Sequence, residues 1–572
     1  MIISHGCLKN TFFSSNDNTL SLNDEFSING DFDKYYSEDK FIFSFGNLQN
    51  IDINNIFVEN KFNYRIFNDC TGDYIIGVYD NILKELTIYR NSSSAVPVFY
   101  VFYNQNHYFS TSLEKLKLIN DELNEKYFLT YLCTGVTETE MTPYLNIHRL
   151  LPGYSIKCDG SKISLSKCCD MIASRKKTDR SILSNEFYRL FEKSIQNSMA
   201  EHSVIGCEIS GGLDSSAIAY QIDKLSTDEQ KLIGLSFIFE DESNLDKINE
   251  VYNTTAFEPV YIDMTKFWIF KDVPEGVPQI DEPNILTINY SYLKELNEVA
   301  LKHNIEILYS GEGGDNLFAY SNYYLIDLMS KSYKALKEEL TSLSKYYKQP
   351  SYKLILAHIL SGILPESIRN RLDSKLSTRS WINIDYYSRY FIPSWLNENF
   401  AKKITYKELF GTRKKLSNTG LNNFMQQNDL FVFLSKNPCI WINEHFFQKM
   451  NVNKFNPYRD YSTMNFMFSL DYIDKAHFGE QKSLLTNSNL IPDSISKNPD
   501  KSETLFTYYN GIKNEWDKIE KIVKESRLVS LGFINEDELM HSLQKFKTGY
   551  HEEFIPIIRT LSLEVWFIVN GY

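Results

Sequence analysis

The chain has 572 residues and a formal net charge of −13 at pH 7, which allows two to four domains and argues against a broad nucleic-acid-binding surface. Its eight cysteines form no C-x-x-C pair, so neither a zinc site nor a disulfide framework is indicated. No apolar run reaches membrane-spanning length and no signal-like segment opens the chain, so we expect a protein of the reducing cytoplasm with no membrane span.

Residues up to about 170 are predicted to be mainly β-structure. Short apolar segments at residues 41–45, 74–80, 86–90, 97–100 and 108–112 are separated by Asn, Asp and Gly, which favour turns. Their order, together with Ile-His-Arg-Leu-Leu-Pro-Gly at residues 147–153, resembles the N-terminal glutaminase-type (Ntn) domain of asparagine synthetases. The resemblance implies a degenerate glutaminase-like α+β domain over residues 1–172.

The glutaminase chemistry of that family is not expected in this chain. Such enzymes use a cysteine at the processed N-terminus, and its α-amine serves as the base. Ile2 stands at that position, and Cys7 lies too far along the chain to be the nucleophile. We therefore expect a retained scaffold that releases no ammonia from glutamine, with Cys7 and Cys70 as small buried residues.

A polar, basic linker at about residues 171–185 leads to a predicted helix over residues 187–199 and a buried strand over residues 204–209. Ser-Gly-Gly-Leu-Asp-Ser-Ser follows at residues 210–216, and a second helix begins there. Glycines permit a tight turn, and hydroxyls with free amides at a helix start form a phosphate-binding surface. Asp214 would repel a phosphate unless a cation lay between them, which implies a divalent metal.

This loop resembles the pyrophosphatase loop of the ATP-pyrophosphatase (PP-loop) family, which cleaves ATP between its α and β phosphates. It lacks the Gly-Lys-Ser/Thr of a Walker A loop. Strands at residues 232–239 and 260–263 alternate with helices, which predicts a doubly wound parallel sheet. The resemblance implies ATP and Mg2+ as cofactors and an adenine site near the second strand. The nucleotide contacts in these two segments would be Ser210, Gly211, Gly212, Asp214, Ser215, Ser216, Ser236 and Ile238.

A second loop has the same character. The apolar residues 305–309 run into Ser-Gly-Glu-Gly-Gly-Asp at residues 310–315. Because the carboxyl ends of parallel strands share one edge, Asp214 and Asp315 are expected to face each other across one metal-bound pyrophosphate. The loop resembles that of the asparagine-synthetase branch, which implies nucleotide contacts at Ser310 and Gly311. Glu312 would accept a proton from the attacking amine or orient that amine.

From about residue 320 onward a helical region is predicted. Segments at residues 456–460, 481–485 and 491–495 resemble the C-terminal half of the synthetase domain, which would span residues 180–572. In that family a lysine on a loop just before an aromatic residue stabilises charge in the transition state. Asp-Lys-Ser-Glu-Thr-Leu-Phe at residues 500–506 matches best and assigns this role to Lys501, with Lys497 as the alternative.

The resemblance implies adenylation of a carboxylate by ATP, followed by attack of an amine to form an amide. Without a glutaminase, the amine would belong to the substrate, and the chain looks most like a lasso-peptide cyclase (macrolactam synthetase). Its substrate would be a precursor peptide, with a leader peptidase and a leader-binding protein as partners. The alternatives are a β-lactam synthetase-like enzyme, an ammonia-dependent asparagine synthetase-like enzyme, a catalytically dead scaffold and a tRNA-modifying PP-loop enzyme. The acidic charge argues against the last of these, and the intact loops argue against a scaffold.

Overall fold

The computed structural model describes most of the chain: residues 2–6, 19–23, 26–29, 32–37, 39–46, 48, 56–58, 61–63, 70, 72–168, 180–239, 244–318, 325, 328–329, 332–346, 350–354, 393–403, 430, 433–448, 452–470, 472–475, 482–486, 490–496, 505–549 and 553–572. The strands are β1 (Ile2–Gly6), β2 (Thr19–Asn23), β3 (Phe26–Asn29), β4 (Asp33–Ser37), β5 (Lys40–Gly46), β6 (Phe57–Val58), β7 (Lys61–Phe62), β8 (Tyr74–Asp80), β9 (Glu85–Arg90), β10 (Phe99–Tyr103), β11 (Asn106–Ser110), β12 (His148–Arg149), β13 (Tyr154–Cys158), β14 (Ile163–Lys167), β15 (Val204–Glu208), β16 (Lys231–Ile238), β17 (Glu258–Asp263), β18 (Ile307–Tyr309) and β19 (Asn453–Phe455).

The helices are α1 (Leu113–Leu116), α2 (Glu125–Thr134), α3 (Arg180–Met199), α4 (Leu213–Leu225), α5 (Leu245–Thr254), α6 (Tyr290–Lys302), α7 (Gly314–Phe318), α8 (Tyr333–Tyr346), α9 (Ser351–Leu354), α10 (Glu398–Ala401), α11 (Asn437–Gln448), α12 (Tyr461–Ser469), α13 (Tyr472–Lys475), α14 (Ser483–Thr486), α15 (Asp493–Ser496), α16 (Leu505–Asn514), α17 (Trp516–Lys524), α18 (Arg527–Ser530), α19 (Glu536–Lys547) and α20 (Phe554–Val569). Short 3-10 turns lie at Met264–Lys266, Ile285–Asn289 and Pro457–Arg459. Among the helices in these ranges, none is both long and apolar enough to cross a membrane.

The N-terminal part contains two antiparallel sheets that share an apolar core. Their strand orders are β12-β10-β11-β1-β3-β2 and β14-β13-β9-β8-β5-β4. Aromatic side chains from both sheets fill the space between them, including Phe26, which stacks on Tyr79 with ring centroids 4.4 Å apart. The predicted β-structure of this region is confirmed, and Cys70 is buried as expected.

The second sheet system is parallel, as predicted. Its order is β17-β16-β15-β18-β19, and every neighbouring pair runs parallel. Phe187, Phe191 and Ile195 recur every four residues along α3 and bury one face of that helix. The strand order reverses between β15 and β18, and ligands bind at such a switch point in doubly wound sheets.

The fifth strand differs from the sequence prediction, which assigned a helical pattern beyond residue 320. Asn453–Phe455 forms β19 and pairs with β18. Three residues are too few to display a period, so neither alternation nor helical spacing could identify this strand.

The N-terminal sheets and the parallel sheet are packed together. One cluster of buried apolar side chains contains Ile42, Tyr74 and Ile76 together with Phe187 and Ile205. In a second cluster Phe128 of α2 lies beside Trp566 and Phe567 of α20, with ring centroids 5.5 and 5.1 Å apart. Burial of shared apolar surface of this kind holds the two parts in one arrangement.

Candidate active site

The two loops predicted to bind the nucleotide lie side by side at the switch point. β15 and β18 are neighbours, with Cys207 opposite Tyr309, and each strand is followed by its loop and by a helix. The loops touch: a Cβ on Gly314 would lie 2.5 Å from Cγ of Asp214, so only glycine permits this approach. The sequence prediction that both loops meet at one sheet edge is therefore confirmed.

The first loop forms a small network of hydroxyl and amide groups. The amide of Ser210 donates to Oγ of Ser215 at 3.2 Å, the two hydroxyls lie 2.9 Å apart, and the amide of Gly212 donates to Oγ of Ser210 at 3.3 Å. Gly212 caps α4 without a side-chain hydrogen bond, so the first turn of the helix has no side-chain acceptor at its cap. Such a helix start attracts an anion.

Two other members of this loop are enclosed by the fold. Gly211 is buried, and a Cβ there would lie 2.9 Å from Cβ of Lys247. Ser216 is fully buried, and its amide donates to the carbonyl of Gly212 at 3.0 Å. These two residues therefore shape the loop, while Ser210 and Gly212 lie exposed on its surface.

Asp214 and Asp315 converge on one cation, the ammonium group of Lys482. Nζ of Lys482 forms an ion pair with Oδ2 of Asp214 and donates to Oδ1 of Asp315 at 2.8 Å. Burial alone would lower the pKa of Lys482, but the charges of Asp214 and Asp315 outweigh it and raise that pKa above its usual value. The two carboxylates thus face each other across the ammonium of Lys482, and the metal-bound pyrophosphate expected between them stays a prediction.

Lys482 is a candidate functional residue that the sequence analysis did not assign. It lies in a segment noted for its resemblance to the synthetase domain, but a single lysine carries no pattern that indicates a role. Its backbone has a φ of 52°, in the left-handed region that non-glycine residues seldom occupy. The hydroxyl of Tyr458, another unassigned residue, donates to the backbone oxygen of Asp214 at 2.9 Å and fixes the start of α4.

The carboxylates suit a magnesium ion that arrives with a nucleotide. Within the described ranges, no group of three or more His, Cys, Asp and Glu side chains is arranged to hold a metal alone. Mg2+ usually takes one or two carboxylates and completes its shell with water and substrate phosphates. Asp214 and Asp315, which already share one cation, fit that donor set.

Glu312 lies at the tip of the second loop and is held by neighbours. Nδ2 of Asn443 donates to Oε2 of Glu312 at 3.4 Å, and the amide of Glu312 donates to Oγ of Ser310 at 3.3 Å. Ser310 is itself fixed, since its amide donates to the carbonyl of Phe455 at 3.1 Å. Gly311 lies against Asp214, where a Cβ would come within 3.3 Å of Cβ of the aspartate.

The predicted adenine contacts lie at the end of β16. Oγ of Ser236 donates to the carbonyl of Ile209 at 2.7 Å and lies 2.6 Å from the hydroxyl of Tyr252. The Ser236 hydroxyl therefore already has two hydrogen-bond partners within the protein. Ile238 is partly buried at the last position of the strand. Lys501 and its alternative Lys497 lie outside the described residues, as does Cys7.

Two family models match the chain. The model described as asparagine synthase matches residues 186–568, and the model described as glutamine amidotransferase domain matches residues 58–168. No curated protein sequence matches the chain.

Solved structures with partial similarity come from several proteins. The U34-tRNA thiolase NcsA from Methanococcus maripaludis, with its [4Fe-4S] cluster, is 14% identical; the match covers 42% of this chain and 82% of that chain with a TM-score of 0.20. The allosteric regulatory enzyme of purine biosynthesis is 9% identical over 46% of this chain and 69% of that chain, with a TM-score of 0.17. Glutamine phosphoribosylpyrophosphate amidotransferase from B. subtilis, complexed with ADP and GMP, is 9% identical over 49% of this chain and 72% of that chain, with a TM-score of 0.17. Structural similarity at this level carries no argument about the function of the chain.

Proposed function

Because the chain belongs to the asparagine synthase family, whose members are ATP-dependent, AMP-forming C–N ligases, we propose that it is a macrolactam synthetase. It adenylates a side-chain carboxylate of a precursor peptide and joins that carboxylate to the N-terminal amine of the same peptide, as in lasso-peptide biosynthesis. The observation that carries the ATP-dependent step is the convergence of Asp214 and Asp315 on one cation beside the start of α4.

The first loop receives the phosphates of ATP. The uncapped start of α4 and the hydroxyls of Ser210 and Ser215 offer donors to a phosphate. Asp214 and Asp315 would hold a Mg2+, which would neutralise phosphate charge. Lys482 adds a fixed positive charge at the same place, where a departing pyrophosphate is stabilised. Ser236 and Ile238 lie at the edge where the adenine is accommodated.

The second loop serves the amine. Glu312 accepts a proton from the attacking amine, and Asn443 fixes the direction of its carboxylate. Lys501 stabilises the charge on the tetrahedral intermediate. Water must be kept out while the acyl-adenylate waits for the amine, since hydrolysis competes with amide formation.

The source of the amine decides between the candidate substrates. Strand β1, Ile2–Gly6, carries no cysteine, which favours an amine that belongs to the substrate over ammonia released from glutamine. A β-lactam synthetase-like reaction also uses an amine of the substrate, but those enzymes have a tyrosine where Glu312 stands. Amidation of a small carboxylic acid by free ammonia is the remaining alternative. A leader peptidase and a leader-binding protein are the partners expected for a macrolactam synthetase.

The test follows ATP–pyrophosphate exchange and product mass with synthetic peptides that have a free N-terminus and one internal Asp or Glu. We expect exchange, AMP release and a product that has lost one water. An N-acetylated peptide should be adenylated without ring closure, and a peptide with Asn or Gln in place of the acid should not be adenylated. Product formation only with ammonia and a small acid would replace the macrolactam proposal with the ammonia-dependent alternative. Glutamate release from glutamine would show that the N-terminal part has kept its hydrolase activity.

A further inference from the structure

We propose that Asn437 is a positioning residue for Glu312, and that the N-terminal sheets act on the active site through its side chain. The inference rests on the proposed function for the role of Glu312. The residues that carry it, Asn437, Asn443 and Arg459, lie outside the two nucleotide loops, and the last two contact the second loop. It gives the N-terminal part a task in amide formation that does not depend on glutamine.

The first step is a fixed carbonyl group in the N-terminal part. The carbonyl oxygen of Ser94 accepts hydrogen bonds from Nδ2 of Asn437 and from Nη2 of Arg90, each at 3.1 Å. All three residues are fully buried. Arg90 is held by Glu138 at 2.8 Å, and the amide of Ser94 donates to Oδ1 of Asn91 at 2.6 Å. A carbonyl that the buried Arg90 already fixes is a firm anchor for Asn437.

The second step leads from Asn437 to Gly313, which follows Glu312 in the second loop. Oδ1 of Asn437 accepts a hydrogen bond from Nη2 of Arg459, whose guanidinium lies 4.4 Å from the ring centroid of Phe433. The stem of Arg459 supports Gly313, where a Cβ would come within 2.9 Å of Cγ of the arginine. Gly313 has a φ of +94°, a backbone conformation that favours glycine. The backbone next to Glu312 therefore depends on this glycine and on its contact with Arg459.

The third step runs along α11. Asn437 is the first residue of this helix, and Asn443, further along it, donates to the carboxylate of Glu312. Six residues of α-helix span about 9 Å, and a helix transmits a shift at one end to its other side chains. Glu312 is therefore held from two directions, by Arg459 below its loop and by Asn443 at its carboxylate. Arg459 contacts Asn437 directly and Asn443 lies on the helix that Asn437 begins, so we expect both supports to respond to a shift of Asn437.

The amide of Asn437 allows its two contacts to be separated. Its nitrogen donates toward Ser94 in the N-terminal part, and its oxygen accepts from Arg459 below the active site. Asn437→Asp keeps an acceptor for Arg459 but replaces the donor with an oxygen that repels the carbonyl of Ser94. Asn437→Ala removes both contacts.

The experiment compares full-length wild type with Asn437→Asp in two measurements. Without any ligand, hydrogen–deuterium exchange should become faster in the peptide that covers residues 309–318 and stay unchanged in the peptide that covers residues 210–220. With a peptide substrate, ATP–pyrophosphate exchange should change less than threefold, while single-turnover amide formation falls by about 100-fold, the loss that a small misplacement near the reacting group produces.

The matched control is Asn570→Asp, which loses amide hydrogen bonds to the carbonyls of Ile280 and Trp566 and should leave both readouts unchanged. Unchanged exchange at residues 309–318 in Asn437→Asp would overturn the proposal. If that variant unfolds, Asn437→Ser is measured in the same way, and equal losses in adenylation and amide formation would also overturn it. If wild type adenylates no peptide, the proposed function fails while the ligand-free exchange measurement still decides this coupling.

Discussion

At the scale of single residues, the site is governed by the charge around Asp214 and Asp315. Lys482 is largely enclosed, with 11% of its side chain exposed, whereas Asp315 is 60% exposed. A buried ammonium between two carboxylates is stable only while both partners remain in place. The same two carboxylates offer oxygen ligands of the kind that a phosphate-bound Mg2+ takes.

We predict that Asp214→Asn and Asp315→Asn abolish adenylation. Each change removes a negative ligand of the proposed Mg2+, and losses of roughly 100-fold or more in Mg2+-dependent ATP binding are expected. Isothermal titration with a non-hydrolysable ATP analogue, with and without Mg2+, measures this directly. Asp228→Asn, at an exposed position, is the control. AMP production at the wild-type rate by either site variant would show that the metal is bound elsewhere.

Lys482→Gln should destabilise the protein in the absence of metal. Removing the ammonium takes away the charge that Asp214 and Asp315 share while Asp214 stays partly buried, which we expect to cost about 1–3 kcal/mol after allowance for the exposure of Asp315. Mg2+ should restore part of the loss in urea unfolding, because it replaces the missing cation. Lys224→Gln, which breaks an exposed ion pair with Glu192, should cost less than about 1 kcal/mol with no effect of Mg2+. A loss in Lys482→Gln that Mg2+ leaves unchanged would contradict this account.

At the scale of elements, the sequence predicted what has a local signal. β15 and its loop were expected at residues 204–209 and 210–216, and the strand is observed at Val204–Glu208. Long apolar strands that end in glycines are visible without a structure. The contacts of Lys482 with Asp214 and of Asn443 with Glu312 are not, because they join residues far apart in sequence through tertiary packing. Lys501 and the domain bounds 1–172 and 180–572 stay predictions.

A buried ion pair joins the N-terminal sheets to the synthetase part. Arg149 of β12 pairs with Glu282, and the hydroxyl of Tyr127 donates to the same carboxylate at 2.9 Å. Burial raises the pKa of Glu282, although Arg149 opposes that rise. The sequence could not have indicated this contact, because Arg149 and Glu282 lie far apart in the chain and meet only through tertiary packing.

Arg149→Met should therefore destabilise the protein by about 3–5 kcal/mol, because it leaves Glu282 buried without the guanidinium that neutralises it. The double variant Arg149→Met/Glu282→Leu should recover part of that loss, since the Glu282 charge is removed and Glu138, which Arg149 also faces at 3.6 Å, keeps its ion pair with Arg90. Denaturant unfolding of the wild type, both single variants and the double variant gives the coupling free energy. Additive losses in the double variant would show that the pair contributes little to the docking of the two parts.

At the scale of the whole molecule, the N-terminal sheets and the synthetase part share apolar clusters and buried charges. The cluster that contains Tyr74 and Ile76 also contains Phe187 and Ile205, so neither part buries its apolar surface alone. Asp281 lies at another contact between the two parts, where its Oδ1 accepts from Oγ of Ser112 and from the amide of Glu114, each at 3.0 Å. A titratable group at this contact ties the stability of the whole assembly to pH.

The last prediction concerns that dependence. Burial raises the pKa of Asp281 to about 6, above the ordinary value near 4 that applies in the unfolded chain. The folded state therefore binds this proton more tightly, so the contribution of Asp281 to stability is fully present below about pH 4 and is lost as the pH rises through about 6. Asp281→Asn keeps the acceptor but cannot ionise.

The variant should thus gain stability relative to wild type, by about 2–3 kcal/mol, between about pH 4 and pH 7. Asp159→Asn is the control, because hydrogen bonds from the amides of Lys162 and Ser161 lower the pKa of Asp159 to about 2, below this range. Urea unfolding at several pH values measures both differences. A difference between wild type and Asp281→Asn that stays flat across this range would mean that Asp281 titrates normally in the folded protein. A difference of the opposite sign would mean that its ionised form is favoured by the interface, and that the hydrogen bonds from Ser112 and Glu114 outweigh its burial.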